Sequence, residues 1–498
     1  MKLKSILPHL IILLAAFVYT FVMSSFGVGI FADSVFFYQA ADNILKHNGI
    51  VDYAGNLINH WPPLYAIVLA LIKKITGANL SNAAFYLNII SIIGNGYLFW
   101  LVLKTLKLKE NTIILSLFSL LFSIPFSTTY TMFLSETLFI PLFLATMLFF
   151  LKWINEKKLK FLIIAGCFSG LCFLTRYATA GIVAGIMIYI LFSKPRKKLQ
   201  TLFNLAFYTI PIILCYMVWN LYCYSKMETG NDRDLVFHII DSHKIFTTVK
   251  TIIAWGIGSS YQFVLIGVIA FATLITLSLR IIYKTKNQFG NYISFHEKHL
   301  KFLLTSIVVY YSFIVGVICL IDASTPIDQR ILMPMYLFSV LVFAIILNYV
   351  LKKHHRTNFI IPICIIAISI LSGAPKLLKY YREGYGYTGK TYEGITIPDN
   401  IDFKNKEVYT NDVAFLIFSK RIMPKQIPMK RDLYNLTVNM LYNQQLDSIQ
   451  NEINNKKSVI LFFDTREELT PLFPTKTELQ ELFNSEQIEN NQNTFVIQ

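Results

Sequence analysis

The feature that most constrains this chain is a succession of eleven apolar runs, most of them long enough to cross a hydrocarbon layer as helices. They occupy 6–31, 83–103, 112–130, 136–151, 161–174, 179–192, 199–222, 260–282, 302–321, 331–351 and 359–371. Residues 161–192 are the least regular part, because Arg176 splits them into two short helices. The composition agrees with this pattern. Of 498 residues, 55% are hydrophobic and 15% charged, and the mean hydropathy is +0.52. Soluble domains carry about 25% charged residues, and no set of soluble cores could hide this much apolar surface. A soluble enzyme, a disordered protein and a disulfide scaffold are excluded. A mostly α, polytopic membrane protein of about eleven spans remains.

Lys plus Arg number 45 against 29 Asp plus Glu, a net charge of +16. In a membrane protein the place of the cations matters more than their sum, since Lys and Arg gather in cytoplasmic loops. One set of alternate loops holds Lys104, Lys107 and Lys109, then Lys152, Lys157, Lys158 and Lys160, then Lys194, Arg196, Lys197 and Lys198. It continues with Arg280, Lys284, Lys286, Lys298 and Lys301, and with Lys352, Lys353 and Arg356. The opposite set holds only Lys46, Lys73 and Lys74, then Arg176, then Lys226, Arg233, Lys244 and Lys250, then Arg330. The denser set and the N-terminus are therefore expected inside. No Ala-x-Ala-like site follows the first run, so it reads as an uncleaved span. The six cysteines lie in or beside apolar runs without metal-ligand spacing and read as small hydrophobes.

A transmembrane module is expected over residues 1–375 and a soluble extracytoplasmic α/β domain over 376–498. In the tail, 407–410, 414–418, 458–463 and 494–497 read as strands, and 433–454 and 476–483 as helices. The first outer loop, 32–82, carries two helical segments suited to a membrane surface, 34–46 and 63–76. A second polar outer loop covers 226–250. No inverted repeat relates the two halves.

Charges within spans are few, and the candidates gather at the outer helix ends. Asp33 closes the first run, Glu136 opens the fourth, Arg176 stands between the fifth and sixth, and Asp328 and Arg330 precede the tenth. Each has a structural alternative: Asp33 as an N-cap, Glu136 as a complement to a helix dipole, the two arginines snorkelling to lipid phosphates. Acids beside cations on one rim suit chemistry on an anionic lipid headgroup.

Several sequence elements line up with this rim. An acid at the end of the first span is followed by Tyr38, Ala40 and Ala41, then by Trp61-Pro62-Pro63-Leu64-Tyr65. Ser135-Glu136-Thr137-Leu138-Phe139 and Asp328-Gln329-Arg330-Ile331-Leu332-Met333-Pro334 come later, and a small C-terminal domain closes the chain. In order and sidedness they resemble the GT-C superfamily of membrane glycosyltransferases, in the branch of the protein O-mannosyltransferases and the lipid A aminoarabinose transferase. The resemblance implies a bacterial inner-membrane enzyme that moves a sugar from a polyprenyl-phosphate carrier to an acceptor hydroxyl, with inversion. The acceptor would be a glycan, a lipid or a protein, and nucleic acid is not a partner. Asp33 would be the general base with Glu136 as the second acid, and Tyr38, Trp61, Tyr65 and Asp328 would line the substrate cavity. In the aminoarabinose branch a phosphate-binding Lys precedes Pro-Pro. Here Trp61 stands there, after His60, which leaves the donor phosphate to Arg330, Arg176 or His60. Members often have two adjacent acids in the first loop, whereas Asp33 is followed by Ser34. A divalent metal at Asp33 and Glu136 stays open, since superfamily branches differ. The rival readings are a lipid-linked oligosaccharide polymerase or ligase, which would place arginine-rich loops within the bundle, and a transporter or flippase, which would place polar groups at mid-membrane.

Overall fold

The structure, a computed structural model, describes residues 2–497 apart from 194–197, 227–234, 259–263, 354–358, 396, 398–402, 404, 433, 435, 464–471, 484–487, 492 and 493. Lys194, Arg196, Lys197, Arg233 and Arg356 of the two loop sets lie outside the described residues, as do Ser260 and Leu433, where a span and a helix are expected to begin.

The chain opens with α1 (Lys2–Met23), α2 (Ala32–Leu45), α3 (Leu64–Thr76) and α4 (Leu80–Thr105). Next come α5 (Glu110–Leu121), α6 (Ile124–Tyr130), α7 (Glu136–Glu156), α8 (Leu159–Phe173), α9 (Thr179–Phe192) and α10 (Lys198–Tyr224). The bundle ends with α11 (Ser242–Ile257), α12 (Val264–Lys284), α13 (Lys286–Phe295), α14 (Glu297–Leu320), α15 (Met333–Lys353) and α16 (Ile360–Glu383). By length and apolarity α1, α4, α7, α10, α12, α14, α15 and α16 can each cross a membrane, and α5 with α6 form a ninth, bent by 52°. α8 and α9 are apolar but only 15 and 14 residues long. Each of the eleven apolar runs contains a helix, while among the described residues length and apolarity support eight or nine spans.

The bend between α5 and α6 is built in. Ser123 caps α6, Pro125 sits in its first turn, and the carbonyl freed at Leu121 accepts from the Tyr19 hydroxyl at 3.0 Å. A buried helix break needs such partners, because no water is there to replace the lost bonds. Gly373 lets α16 press against the break, where a Cβ would strike the Phe122 carbonyl. The short helices pack through small residues. Gly166 and Gly170 of α8 meet Tyr208 and Cys215 of α10, and Gly181 and Gly185 of α9 meet Phe313 and Ser306 of α14.

Several elements end elsewhere than the sequence suggests. α1 stops at Met23 rather than at residue 31, because Gly27 takes a φ of +72° and turns the chain. Residues 29 and 30 then bridge to Met132 and Gly386. α2 has no exposed residue: Phe37 and Ala41 face the core, and on the opposite side Asn43 is buried, donating to the Val51 and Asp52 carbonyls at 2.8 Å each. It is an interior helix, not a surface one. α3 does expose an apolar stripe of Ile67, Leu71 and Ile75. The loop at 226–250 contains most of α11. α16 runs through Pro375 to Glu383.

The C-terminal part contains α17 (Lys390–Glu393), β1 (Glu407–Thr410), α18 (Val413–Lys420), β2 (Lys425–Gln426), α19 (Tyr442–Asn454), β3 (Ser458–Phe463), α20 (Lys476–Leu482), β4 (Ile488–Asn491) and β5 (Thr494–Ile497). Its sheet runs β2-β1-β3-β5-β4, parallel across the first three strands and antiparallel beyond. The expected strand at 414–418 is helical instead. Asp412 caps it by accepting from the Phe415 amide at 3.2 Å, which turns an apolar run into α18. The helix expected from residue 433 begins only at Tyr442, after a turn bridged between Arg431 and Val438. This domain sits on the membrane part: α18 packs on α2, and the Tyr387 and Tyr392 hydroxyls donate to Asp412 at 2.8 and 2.9 Å.

Candidate active site

Four elements bring the charged candidates together. The extended strip after Gly27 leads into α2, where the Phe31 amide donates to Ser34 Oγ at 2.9 Å and opens the helix. Asp33 is thereby placed in the first turn, and Phe31 holds the cap position, so Asp33 is not the N-cap. Glu136 is the first residue of α7. Arg176 lies in the turn between α8 and α9, tied to the first loop by a Leu64 amide bond to the Leu174 carbonyl (2.9 Å) and by Tyr177, whose hydroxyl donates to the Asn59 carbonyl at 3.0 Å. Arg330 stands just before α15.

The ion pairs are unequal. Arg176 Nη1 lies 2.5 Å from Glu136 Oε1, and the Glu136 side chain is 3% exposed. Arg330 Nε lies 2.8 Å from Asp328 Oδ2. Asp328 Oδ1 also accepts from the Arg330 and Ile331 amides at 2.9 and 3.0 Å, closing a tight turn. Arg330 Nη1 stands 4.0 Å from Asp33 Oδ2, and the Asp33 side chain keeps 46% of its surface. Both arginines are 21% exposed and paired with protein carboxylates, so they are not snorkelling cations.

Asp33 is open on one side but hemmed in by surrounding helices. That burial raises its carboxyl above the ordinary value; Glu136 and Asp328 add to the rise, while Arg330 and Arg176 pull it back. The result is a carboxylate that binds a proton more readily than one in water, held beside a fixed cation.

The remaining candidates form a wall. The Trp61 ring stacks on Phe36 with centroids 4.4 Å apart, and Tyr65 meets Phe37 edge-on at 5.0 Å. Tyr38 lies 6.4 Å from Phe133. Tyr65 is fully buried, its hydroxyl near Thr137 and Glu136. His60 packs on Trp61 and against Tyr434 of the C-terminal domain, at 4.4 and 5.5 Å between ring centroids. It sits between the two parts of the molecule.

Two supports of the site escaped the sequence. The Tyr310 hydroxyl of α14 donates to the Ile331 carbonyl at 2.7 Å, and Trp255 Nε1 of α11 donates to Gln329 Oε1 at 2.8 Å. Together they grip the Asp328–Ile331 turn from both sides. Neither carries a local signal, since one lies in an apolar run and the other in an apolar stretch beside a loop read as polar. For a divalent metal, Asp33 and Glu136 fit poorly as a pair, because Glu136 is held by Arg176. Among the described residues no group of three His, Cys, Asp or Glu side chains is arranged for an ion.

Residues 60–222, which include His60, Trp61, Tyr65, Glu136 and Arg176, match the family described as dolichyl-phosphate-mannose-protein mannosyltransferase. The archaeal oligosaccharyltransferase AglB from Archaeoglobus fulgidus, solved with an inhibitory peptide and a dolichol-phosphate, aligns with a TM-score of 0.50 at 10% identity, over 94% of this chain and 70% of that one. That family match spans about a third of the chain, and the likeness to AglB is one of fold. ArnT from Cupriavidus metallidurans aligns with this chain at a TM-score of 0.43 and 10% identity, over 98% of this chain and 97% of that one. No curated protein sequence matches it.

Proposed function

We propose that this chain is a membrane glycosyltransferase of the GT-C type, which transfers a sugar from a polyprenyl-phosphate carrier to an acceptor hydroxyl on the outer face of the membrane, inverting the anomeric carbon. The Asp33–Arg330 juxtaposition carries the reading: an open carboxylate of raised proton affinity, 4.0 Å from a fixed guanidinium. Asp33 takes the proton of the acceptor hydroxyl as its oxygen bonds to the anomeric carbon. The carbon–oxygen bond to phosphate breaks, and its electron pair leaves on the phosphate oxygen, where Arg330 stabilises the charge. Glu136 and Arg176 hold the wall rather than react. The matched family's description, which names a dolichyl-phosphate sugar, supports this class of donor.

A cavity of about 380 Å³ lined by apolar side chains of α5, α11, α12, α15 and α16 suits part of the polyprenyl tail. Trp255 lines it and binds Gln329, next to Arg330, so tail and phosphate sites adjoin. The outer placement rests on the Lys/Arg asymmetry of the loops. A Cys placed at Ser448 should react with an impermeant reagent added outside, and labelling from the cytoplasm alone would reverse the orientation. The donor is tested by offering the purified enzyme a panel of polyprenyl-phosphate sugars and measuring release of polyprenyl phosphate. No release from any of them would remove this reading.

A further inference from the structure

The cations so far assigned to the donor phosphate are already opposed by acids. Arg176 meets Glu136 at 2.5 Å. Arg330 meets Asp328 at 2.8 Å and faces Asp33. Three carboxylates against two guanidinium groups leave this cluster with a formal excess of one negative charge before transfer, and with none once Asp33 holds the acceptor's proton. A phosphate released from its sugar carries close to two more. Without another cation those charges would meet no net counter-charge in the site.

Lys376 of α16 meets that need. Its Nζ lies 4.8 Å from the centroid of the Tyr385 ring, and that ring packs against Phe31 at 4.9 Å, two residues before Asp33. The ammonium is within electrostatic reach of Asp328, the acid that holds Arg330. Its side chain is half-buried, and no ion pair to it occurs among the described residues. Its recorded close contact is thus with an aromatic face, an attraction of about 0.5–2 kcal/mol that a phosphate can replace. The flexible four-carbon stem lets the ammonium swing to an anion and back, which a guanidinium locked in an ion pair does not do.

We propose that Lys376 is the second phosphate-binding cation of the site, taking the phosphate of the lipid carrier between its ammonium and Arg330. This rests on the polyprenyl-phosphate reading above and adds the residue that balances the charge. It also gives the Lys376–Tyr385 contact a purpose, as the resting position of an ammonium between turnovers.

The test uses the full chain in lipid nanodiscs and two probes, undecaprenyl phosphate and the uncharged undecaprenol. Wild type should bind the phosphate more tightly than the alcohol. In Lys376→Gln that advantage should shrink by about 10-fold or more, the usual worth of a hydrogen bond to a charged group. Lys376→Arg should keep most of it. Affinity for undecaprenol should be the same in all three, which reports an intact tail site. If Lys376→Gln keeps the wild-type preference, or loses affinity for both probes alike, the role of Lys376 is overturned while the donor reading stands. A wild type that binds both probes equally overturns the donor reading itself, and Lys376 with it.

Discussion

The site has two acid–arginine pairs, and they are built to opposite standards. At the start of α7, Glu136 is 3% exposed and lies 2.5 Å from Arg176. At the start of α2, Asp33 is 46% exposed and stands 4.0 Å from Arg330, whose closer partner is Asp328. A buried, close pair leaves little room for a substrate atom, and breaking it strands a charge. An open, loose pair leaves a proton acceptor within reach of a substrate, beside a cation. The first arrangement braces the wall and the second is free to act on a ligand. On the proposed reading, two acids of the same charge on the same rim thus acquire different roles from their partners.

The sharpest way to break that comparison is to neutralise each acid in turn. Asp33→Asn should lower sugar transfer by about 10²–10⁴-fold, the usual worth of a general base. Its thermal stability should hold or rise, because the ionised carboxylate is disfavoured by burial. Glu136→Gln should instead destabilise the fold by about 3 kcal/mol, since the partly buried Arg176 loses its counter-charge. A stable but inactive Glu136→Gln beside an active Asp33→Asn would exchange the two roles.

Arg330 sharpens the comparison through pH. With Asp33 as the proposed base, transfer requires its ionised form, so activity should fall as pH drops through its pKa. Arg330 pulls that pKa down against the stronger effect of burial. Arg330→Gln should therefore move the acid limb of the pH profile to higher pH as well as weaken donor use. Arg330→Lys, which keeps a charge but loses the fork, should leave the limb nearer its place and raise the KM for the lipid donor about 10-fold. An acid limb that stays fixed in Arg330→Gln would detach Arg330 from Asp33.

How much of this was legible in the sequence follows from the kind of information each feature needs. Apolar runs were visible because membrane length and apolarity are local properties. The same holds for β1, β3 and β5, whose short β-rich runs carry their own signal. Chain ends set by pairing were not visible. α1 ends at Met23, where Gly27 turns the chain, and the strip beyond is held by bridges from Gly29 and Ile30 to residues 132 and 386, more than a hundred positions away. The run at 414–418 was ambiguous between strand and helix, though Asp412 three residues before Phe415 is a cap signal that could have decided it. In the site, the five charges were legible because charge at one rim of a membrane protein is rare. Tyr310, Trp255 and Lys376 were not, because their roles arise only when α14, α11 and α16 meet the Asp328–Ile331 turn or the start of α2.

The C-terminal domain offers a milder break. It touches the open half from two directions, through α18 on α2 and through Tyr434 beside His60. The Tyr434 carbonyl also accepts from the Ala323 amide at 2.8 Å, close to the Asp328 turn. None of these contacts supplies a reacting group. Deleting residues 398–498 should therefore leave donor hydrolysis measurable while transfer to the acceptor falls. Loss of both activities in a truncation that still folds would make the domain part of the chemical site.

The smallest expected effect is also the most selective. Trp255 gives a single hydrogen bond to Gln329, between Asp328 and Arg330, and nothing to the Glu136–Arg176 pair. Trp255→Phe keeps an aromatic ring in the apolar cavity and removes the donor with part of the ring volume. A neutral hydrogen bond is worth about 0.5–1.5 kcal/mol net, so a loss of roughly 2- to 10-fold is the ceiling. Because the bond holds the turn that aims Arg330, the loss should fall on KM for the lipid donor, with kcat and thermal stability nearly unchanged. A variant that instead loses stability with no change in KM would mean that Trp255 only fills space, and that the looseness of the Asp33–Arg330 pair is not governed from α11.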